Sequence, residues 1–156
     1  MTHPPTKTSV AIACGGTGGH LFPGMAVAEQ LQRRDCVVTL LVSPKEVDQQ
    51  AVKAAQGMRV VTLPAVALQA GSRLAFLRGF AKSYRASKRL VRDAPPAAVL
   101  GMGGFTSAPP LLAARRCGAA IFLHESDAIP GRANRWLSWI TNHAFVGFPS
   151  AQNRLR

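Results

Sequence analysis

Six short runs of consecutive apolar residues recur along the chain, and the stretches between them carry helical spacing. The runs are SVAIAC (9–14), CVVTLLV (36–42), MRVVTL (58–63), AAVLG (97–101), AAIFLH (119–124) and HAFVGF (143–148). They are short for helices and too continuous for strands with one wet face. Such runs suit strands buried on both faces of a parallel sheet. Between them, Pro23 opens a helix that reaches about Arg34, with the proline in its first turn. Ser43-Pro44-Lys45-Glu46 has the form of a capping box; it starts a second helix, which Gly57 ends just after Gln56. After a loop, a long helix is predicted from about Arg73 to Arg92. Two more run from about Ser107 to Arg116 and from Pro130 to Thr141. The tail SAQNRLR shows no closing helix.

Strand and helix thus alternate, which predicts an α/β fold: a Rossmann-like, doubly wound parallel sheet with right-handed crossovers. The 156 residues suit one domain. The expected division is a flexible start at 1–7, the Rossmann-like domain at 8–149 and a linker at 150–156. In such sheets, ligands gather beyond the carboxyl ends of the strands.

Three loops lie at that edge. The first, CGGTGGHLFPG (14–24), joins strand to helix almost without side chains. Glycine allows positive φ and close approach, and the next helix start offers free N–H groups, so the loop is a candidate anion cradle. It meets neither the GxGxxG fingerprint nor the Walker pattern, so a plain glycine turn is the other reading. The second, GMGGFTSAPP (101–110), follows the fourth strand. The third, HESDAIPGRAN (124–134), holds His124, Glu125 and Asp127, and so two of the seven acids in the chain. Two roles are open to Glu125: chemistry, or ordering the loop through backbone N–H groups. Two are open to His20. A neutral imidazole near pH 7 can take a proton from an attacking hydroxyl, and it can also cap a helix or bind phosphate. His143, at a strand start, reads as structural.

Charge changes the picture of partners. There are 19 Lys and Arg against 7 Asp and Glu, a net charge of +12, with 47% apolar residues. That field favours anionic partners. In the long helix Arg78, Lys82, Arg85, Arg89 and Arg92 fall on one face. Leu74, Leu77, Ala81, Tyr84 and Val91 read as the core stripe, and Phe76 and Phe80 widen the apolar arc. A basic face beside apolar residues suits an anionic membrane surface, with a simply solvated face as the alternative. No nucleic-acid partner is expected, because aromatics for stacking are sparse and no binding motif is present. Cys14, Cys36 and Cys117 are scattered, so neither a metal site nor a disulfide is expected. No apolar run approaches the roughly 18 residues of a membrane span, and no signal peptide is expected. A reducing, cytosolic location is expected.

GGTGGHLFPGMAVAEQL, VLGMGGFTSAPPLLAA and HESDAIPGRANRWLS resemble, in order and in register, three motifs of the MurG family of peptidoglycan N-acetylglucosaminyltransferases, within glycosyltransferase family 28. The resemblance runs from Val10 to about Phe148. It implies the N-terminal half of a GT-B glycosyltransferase. It also implies transfer of GlcNAc from UDP-GlcNAc to the C4 hydroxyl of MurNAc in lipid I, with inversion, giving lipid II. The enzyme would work as a peripheral protein on the cytoplasmic face of the bacterial inner membrane, with no cofactor and no metal. His20 then matches the general base, and Glu125 is expected beside it in catalysis. Thr17, Gly18, Gly19, Gly103, Gly104, Phe105, Asp127 and Asn134 match substrate-binding positions. Arg73, Leu74, Phe76, Leu77, Arg78, Phe80, Lys82 and Arg85 match the membrane-docking region.

The implied partners are UDP-GlcNAc, lipid I, anionic inner-membrane lipids and a C-terminal donor-binding domain that this chain is expected to lack. The isolated chain is therefore expected to be inactive. Two departures stand out. The family usually reads His-Glu-Gln-Asn where this chain has His124-Glu125-Ser126-Asp127, and Tyr is common where Phe105 stands. The alternative function is a non-catalytic subunit of a two-chain glycosyltransferase that binds the acceptor and recruits the enzyme to the membrane. A sugar epimerase with a similar sheet is a third reading, against which the three loops argue.

Overall fold

The computed structural model describes residues 7–53, 55, 57–64 and 73–156. Among these residues six strands alternate with six helices: β1 (Ser9–Ala13), α1 (Gly18–Gln32), β2 (Val37–Val42), α2 (Glu46–Val52), β3 (Arg59–Thr62), α3 (Arg73–Asp93), β4 (Ala98–Gly101), α4 (Ala108–Arg116), β5 (Ala120–Glu125), α5 (Arg132–Leu137), β6 (His143–Val146) and α6 (Pro149–Gln152). The strands form one parallel sheet in the order β3-β2-β1-β4-β5-β6, the Rossmann-like arrangement expected from the alternation. The order reverses between β1 and β4, so the loops after those two strands lie side by side.

Alternation along each strand feeds two cores. Val10, Ile12 and Cys14 join Leu21 and Ala28 of α1 on one face. Ala11 and Ala13 join Val91 of α3, Leu111 of α4 and Leu137 of α5 on the other. Gly24 lets α1 close onto the sheet. A Cβ there would stand 2.5 Å from that of Cys14 and 3.2 Å from Cγ of Met102. Burial on both faces holds for the central strands, while the edge strands β3 and β6 are half-exposed.

Several boundaries differ from the sequence reading. Helix α1 starts at Gly18, and Pro23 lies inside it. The carbonyl of Thr17 accepts from both His20 N and Leu21 N, so the first turn closes on the glycine loop ahead of the proline. Helix α2 is shorter than expected, and its capping partner is different. Ser43 N and Oγ both donate to Asp48, while Glu46 accepts from Gln50 one turn on. Gln56, the expected end of that helix, lies outside the described residues, as do the loop at 65–72 and all of the expected flexible start except Lys7. Helix α5 spans 132–137 only, and the tail does contain a short helix, α6.

The phase of α3 is the largest correction. Leu74 and Leu77, read as core, are 57% and 60% exposed. The buried residues are Ser83, Ser87 and Val91, with Phe80, Ala86 and Leu90 packed against the core. Two buried serines let α3 lie close to α4. Ser87 satisfies its own hydroxyl by donating to Ser83 O at 2.8 Å. Arg78, Lys82, Arg85, Arg89 and Arg92 are all exposed, as their spacing requires.

Candidate functional site

The first two glycine loops are bolted together by hydroxyl groups of the second. Thr106 Oγ1 donates to Gly15 O at 2.6 Å, and Ser107 Oγ lies 3.1 Å from Ala13 O and 2.7 Å from Gly103 O. Gly16, Gly103 and Gly104 have φ of 115°, 114° and 73°, a region that side chains rarely enter. The space a Cβ would need is also taken. On Gly103 it would stand 3.0 Å from both His20 Nε2 and Asn134 Nδ2, and on Gly104 it would stand 3.2 Å from His20 Cε1. The bare backbone of the second loop is therefore the wall against which His20 rests.

His20 sits in the first turn of α1, half-buried, with Nδ1 3.1 Å from Thr17 Oγ1. Thr17 caps the helix through its backbone only, which leaves its hydroxyl for this contact. Burial pushes the His20 pKa below the usual imidazole value, against the opposing pull of the Glu125, Asp127 and Asp48 carboxylates. The ring is thus neutral near pH 7. In the tautomer whose Nδ1–H donates to Thr17 Oγ1, Nε2 is the basic atom; in the other, Nδ1 accepts from the hydroxyl. Gly18 and Gly19 begin α1, and N–H groups in a first helical turn lack intrahelical acceptors.

The third loop is organised by Glu125. This residue ends β5 and is 3% exposed. Its Oε1 accepts from Asp127 N at 2.9 Å; its Oε2 accepts from Gly131 N at 3.3 Å and from Asn134 Nδ2 at 2.9 Å. Of the two roles open to Glu125, these contacts describe the ordering of the loop. Asn134 is buried, also donates to His124 O at 3.3 Å, and touches the second loop at Gly103. Among the described residues its Oδ1 has no hydrogen-bond partner, nor has Nδ1 of the half-buried His124. Burial lowers the His124 pKa, and nearby His20 adds to the effect against Glu125. The side chain of Asp127 is exposed.

His20, Thr17, Gly103, Gly104, Glu125 and Asn134 therefore converge. Phe105, 37% exposed, links them to the expected docking region through an edge-on contact with Phe76. Phe76, Leu77, Phe80, Phe105 and Trp136 line an open apolar groove of about 280 Å³ at that junction. Leu74 and the basic Arg73 and Arg78 are exposed nearby on α3, with Lys82 and Arg85 further along it. Sequence reasoning missed Asp48, Thr106, Ser107 and Trp136. The hydroxyl pair Thr106-Ser107, one residue beyond Gly103-Gly104, was the available signal for two of them. No group of residues able to hold a metal ion occurs among the described residues, and no described helix is long and apolar enough to cross a membrane.

A Rossmann-like unit whose three loops meet beyond the strand ends has the architecture of the N-terminal half of a GT-B glycosyltransferase. Residues 10–146 match the glycosyltransferase family 28 N-terminal domain, and the chain belongs to that family. It is 43% identical over 140 residues to the UDP-N-acetylglucosamine–N-acetylmuramyl-(pentapeptide) pyrophosphoryl-undecaprenol N-acetylglucosamine transferase of Pelobacter propionicus, covering 86% of this chain and 37% of that protein. The enzyme of the same name from Geobacter sulfurreducens is 38% identical over 145 residues, covering 90% and 40%. The chain thus spans about two fifths of the length of these relatives. Among solved structures, Acinetobacter baumannii MurG superposes with a TM-score of 0.82 at 30% identity, over 92% of this chain and 43% of that one. A putative UDP-N-acetylglucosamine 2-epimerase from Listeria monocytogenes superposes with a TM-score of 0.72 at 15% identity, over 96% of this chain and 42% of that one, a likeness of fold alone.

Proposed function

We propose that this domain is the acceptor- and membrane-binding half of an inverting N-acetylglucosaminyltransferase. The reaction moves GlcNAc from UDP-GlcNAc to the C4 hydroxyl of MurNAc in lipid I, forming lipid II at the cytoplasmic face of the inner membrane. The relatives' activity supports this reading. The observation that carries it in this chain is the placement of His20 against the Gly103–Gly104 backbone with Nδ1 on Thr17, where burial favours the neutral ring.

His20 Nε2 takes the proton of the C4 hydroxyl as that oxygen attacks C1 of GlcNAc. The C1–O bond to UDP breaks on the opposite face, so the configuration inverts and UDP leaves with the bonding electrons. A neutral imidazole has a free nitrogen lone pair with which to accept that proton. Glu125 and Asn134 act as positioning residues that fix the third loop. Gly18, Gly19 and the second glycine loop allow diphosphate and sugar to approach bare backbone. The exposed end of α3, with Leu74, Leu77, Arg73 and Arg78, rests on anionic lipid.

The test is transfer of labelled GlcNAc to a lipid I analogue, by this chain alone and with a donor-binding domain supplied. A GT-B cleft needs both walls, so the chain alone should be silent and the pair should turn over, slowly because the walls are not tethered. Turnover by the chain alone would contradict the half-site reading. Silence of the pair, with the acceptor still bound, would favour the non-catalytic subunit.

A further inference from the structure

We infer that Asp48 is a positioning residue for the first glycine loop, holding the Gly15–Gly16 peptide in the orientation that presents Thr17 and His20 to the site. Its consequence for catalysis rests on the role of His20 proposed above; its structural claim does not.

Asp48 has no exposed surface. Its Oδ2 accepts from Gly16 N at 2.7 Å, from Ser43 N at 2.9 Å and from Ser43 Oγ at 2.5 Å. The other end of the same peptide group is held as well, since Gly15 O accepts from Thr106 Oγ1 at 2.6 Å. The next carbonyl, Gly16 O, accepts from Lys45 Nζ at 2.8 Å. Three consecutive polar groups of the loop backbone are thus tied to side chains from the β2–α2 junction and the second glycine loop.

A glycine loop moves most cheaply by flipping a peptide, because no Cβ resists the turn. Gly16, at φ 115°, stays put only if its surroundings over-determine it. Holding both ends of one peptide does this. Thr17 follows directly in extended conformation, and its carbonyl receives the first helical N–H groups, including that of His20. The direction of the first turn of α1 is therefore inherited from Gly16. Asp48 also bears a cost. Among the described residues its Oδ1 has no hydrogen-bond partner and no ion pair to it occurs. A buried carboxylate with one bare oxygen is unfavourable, which fits a residue retained for what its other oxygen positions.

The test compares Asp48→Ala and Asp48→Asn in the full chain, reading amide hydrogen exchange and proton shifts by NMR. Asn keeps one acceptor oxygen and the side-chain volume. In Asp48→Ala, exchange at Gly16 should accelerate about tenfold or more while the amides of β1 and β2 keep their protection. Asp48→Asn should restore most of that protection, with the Gly16 proton shifted upfield because a charged acceptor has been replaced by a neutral one. In the transfer assay with the donor-binding domain, Asp48→Ala should lower kcat about tenfold or more, with KM for UDP-GlcNAc little changed. If wild type shows no transfer, the exchange data still decide the structural claim. Unchanged Gly16 protection in Asp48→Ala would overturn it. If Asp48→Ala does not fold, Asp48→Asn decides: failure to fold, or an unmoved Gly16 shift, would overturn the inference.

Discussion

The ring of Phe105, in the second glycine loop, meets that of Phe76, in the first turn of α3, edge-on at a centroid distance of 5.8 Å. This contact joins the expected membrane-docking helix to the wall behind His20. Phe76 in turn lies 6.2 Å from Phe80, which packs against the core. The aromatic side chains of α3 are therefore partly spoken for by the fold. On α3 the large apolar side chains that stay exposed are Leu74 and Leu77.

Leu74→Ser with Leu77→Ser should weaken binding of the chain to vesicles containing anionic lipid by about tenfold or more, since burying each leucine is worth about 1.5–3 kcal/mol. The melting temperature should barely move, because both side chains are exposed. Raised salt should weaken binding of both proteins, as screening acts beyond about 8–10 Å. Vesicle cosedimentation measures this. Unchanged binding by the double variant would place the lipid contact elsewhere.

The stability of the chain should fall on mild acidification. His20 and His124 are both held below the usual value of 6.5, chiefly by burial. The unfolded chain then binds more protons than the folded one once pH drops below that value. Stability is accordingly unaffected well above pH 6.5 and declines as pH falls from about 7 toward 5. The carboxylates of Glu125, Asp127 and Asp48 pull the His20 pKa upward, which reduces the decline without reversing its sign. Urea midpoints across this window should decrease in wild type. They should flatten when both histidines are replaced by glutamine, by at most about 1.4 kcal/mol per pH unit for each histidine. A wild-type midpoint that rises on acidification would contradict the burial of these rings.

The sheet was legible because each strand is a short, continuous apolar run, and a strand covered on both faces is the element that buries every side chain of such a run. The loops were legible because glycine clusters at strand ends have a specific cost and use. The phase of α3 was not legible. Its buried stripe contains Ser83 and Ser87, which hydropathy assigns to solvent, while Leu74 and Leu77 look apolar and lie outside the core. The start of α1 was hidden by Pro23, a residue that usually marks a first turn but here sits inside the helix. Asp48 was hidden by Glu46. Both acids follow Ser43, and the capping-box spacing favours the wrong one, while the true contact depends on how the first glycine loop folds back over α2.

Sugar transfer on the acceptor wall, as proposed above, depends on His20 as the base. The most direct measurement is single-turnover transfer of GlcNAc to a lipid I analogue by His20→Ala, in the presence of the donor-binding domain, with UDP-GlcNAc affinity determined in parallel. The rate should fall by about 10²–10⁴ with nearly unchanged donor affinity. A rate close to wild type would contradict this role of His20.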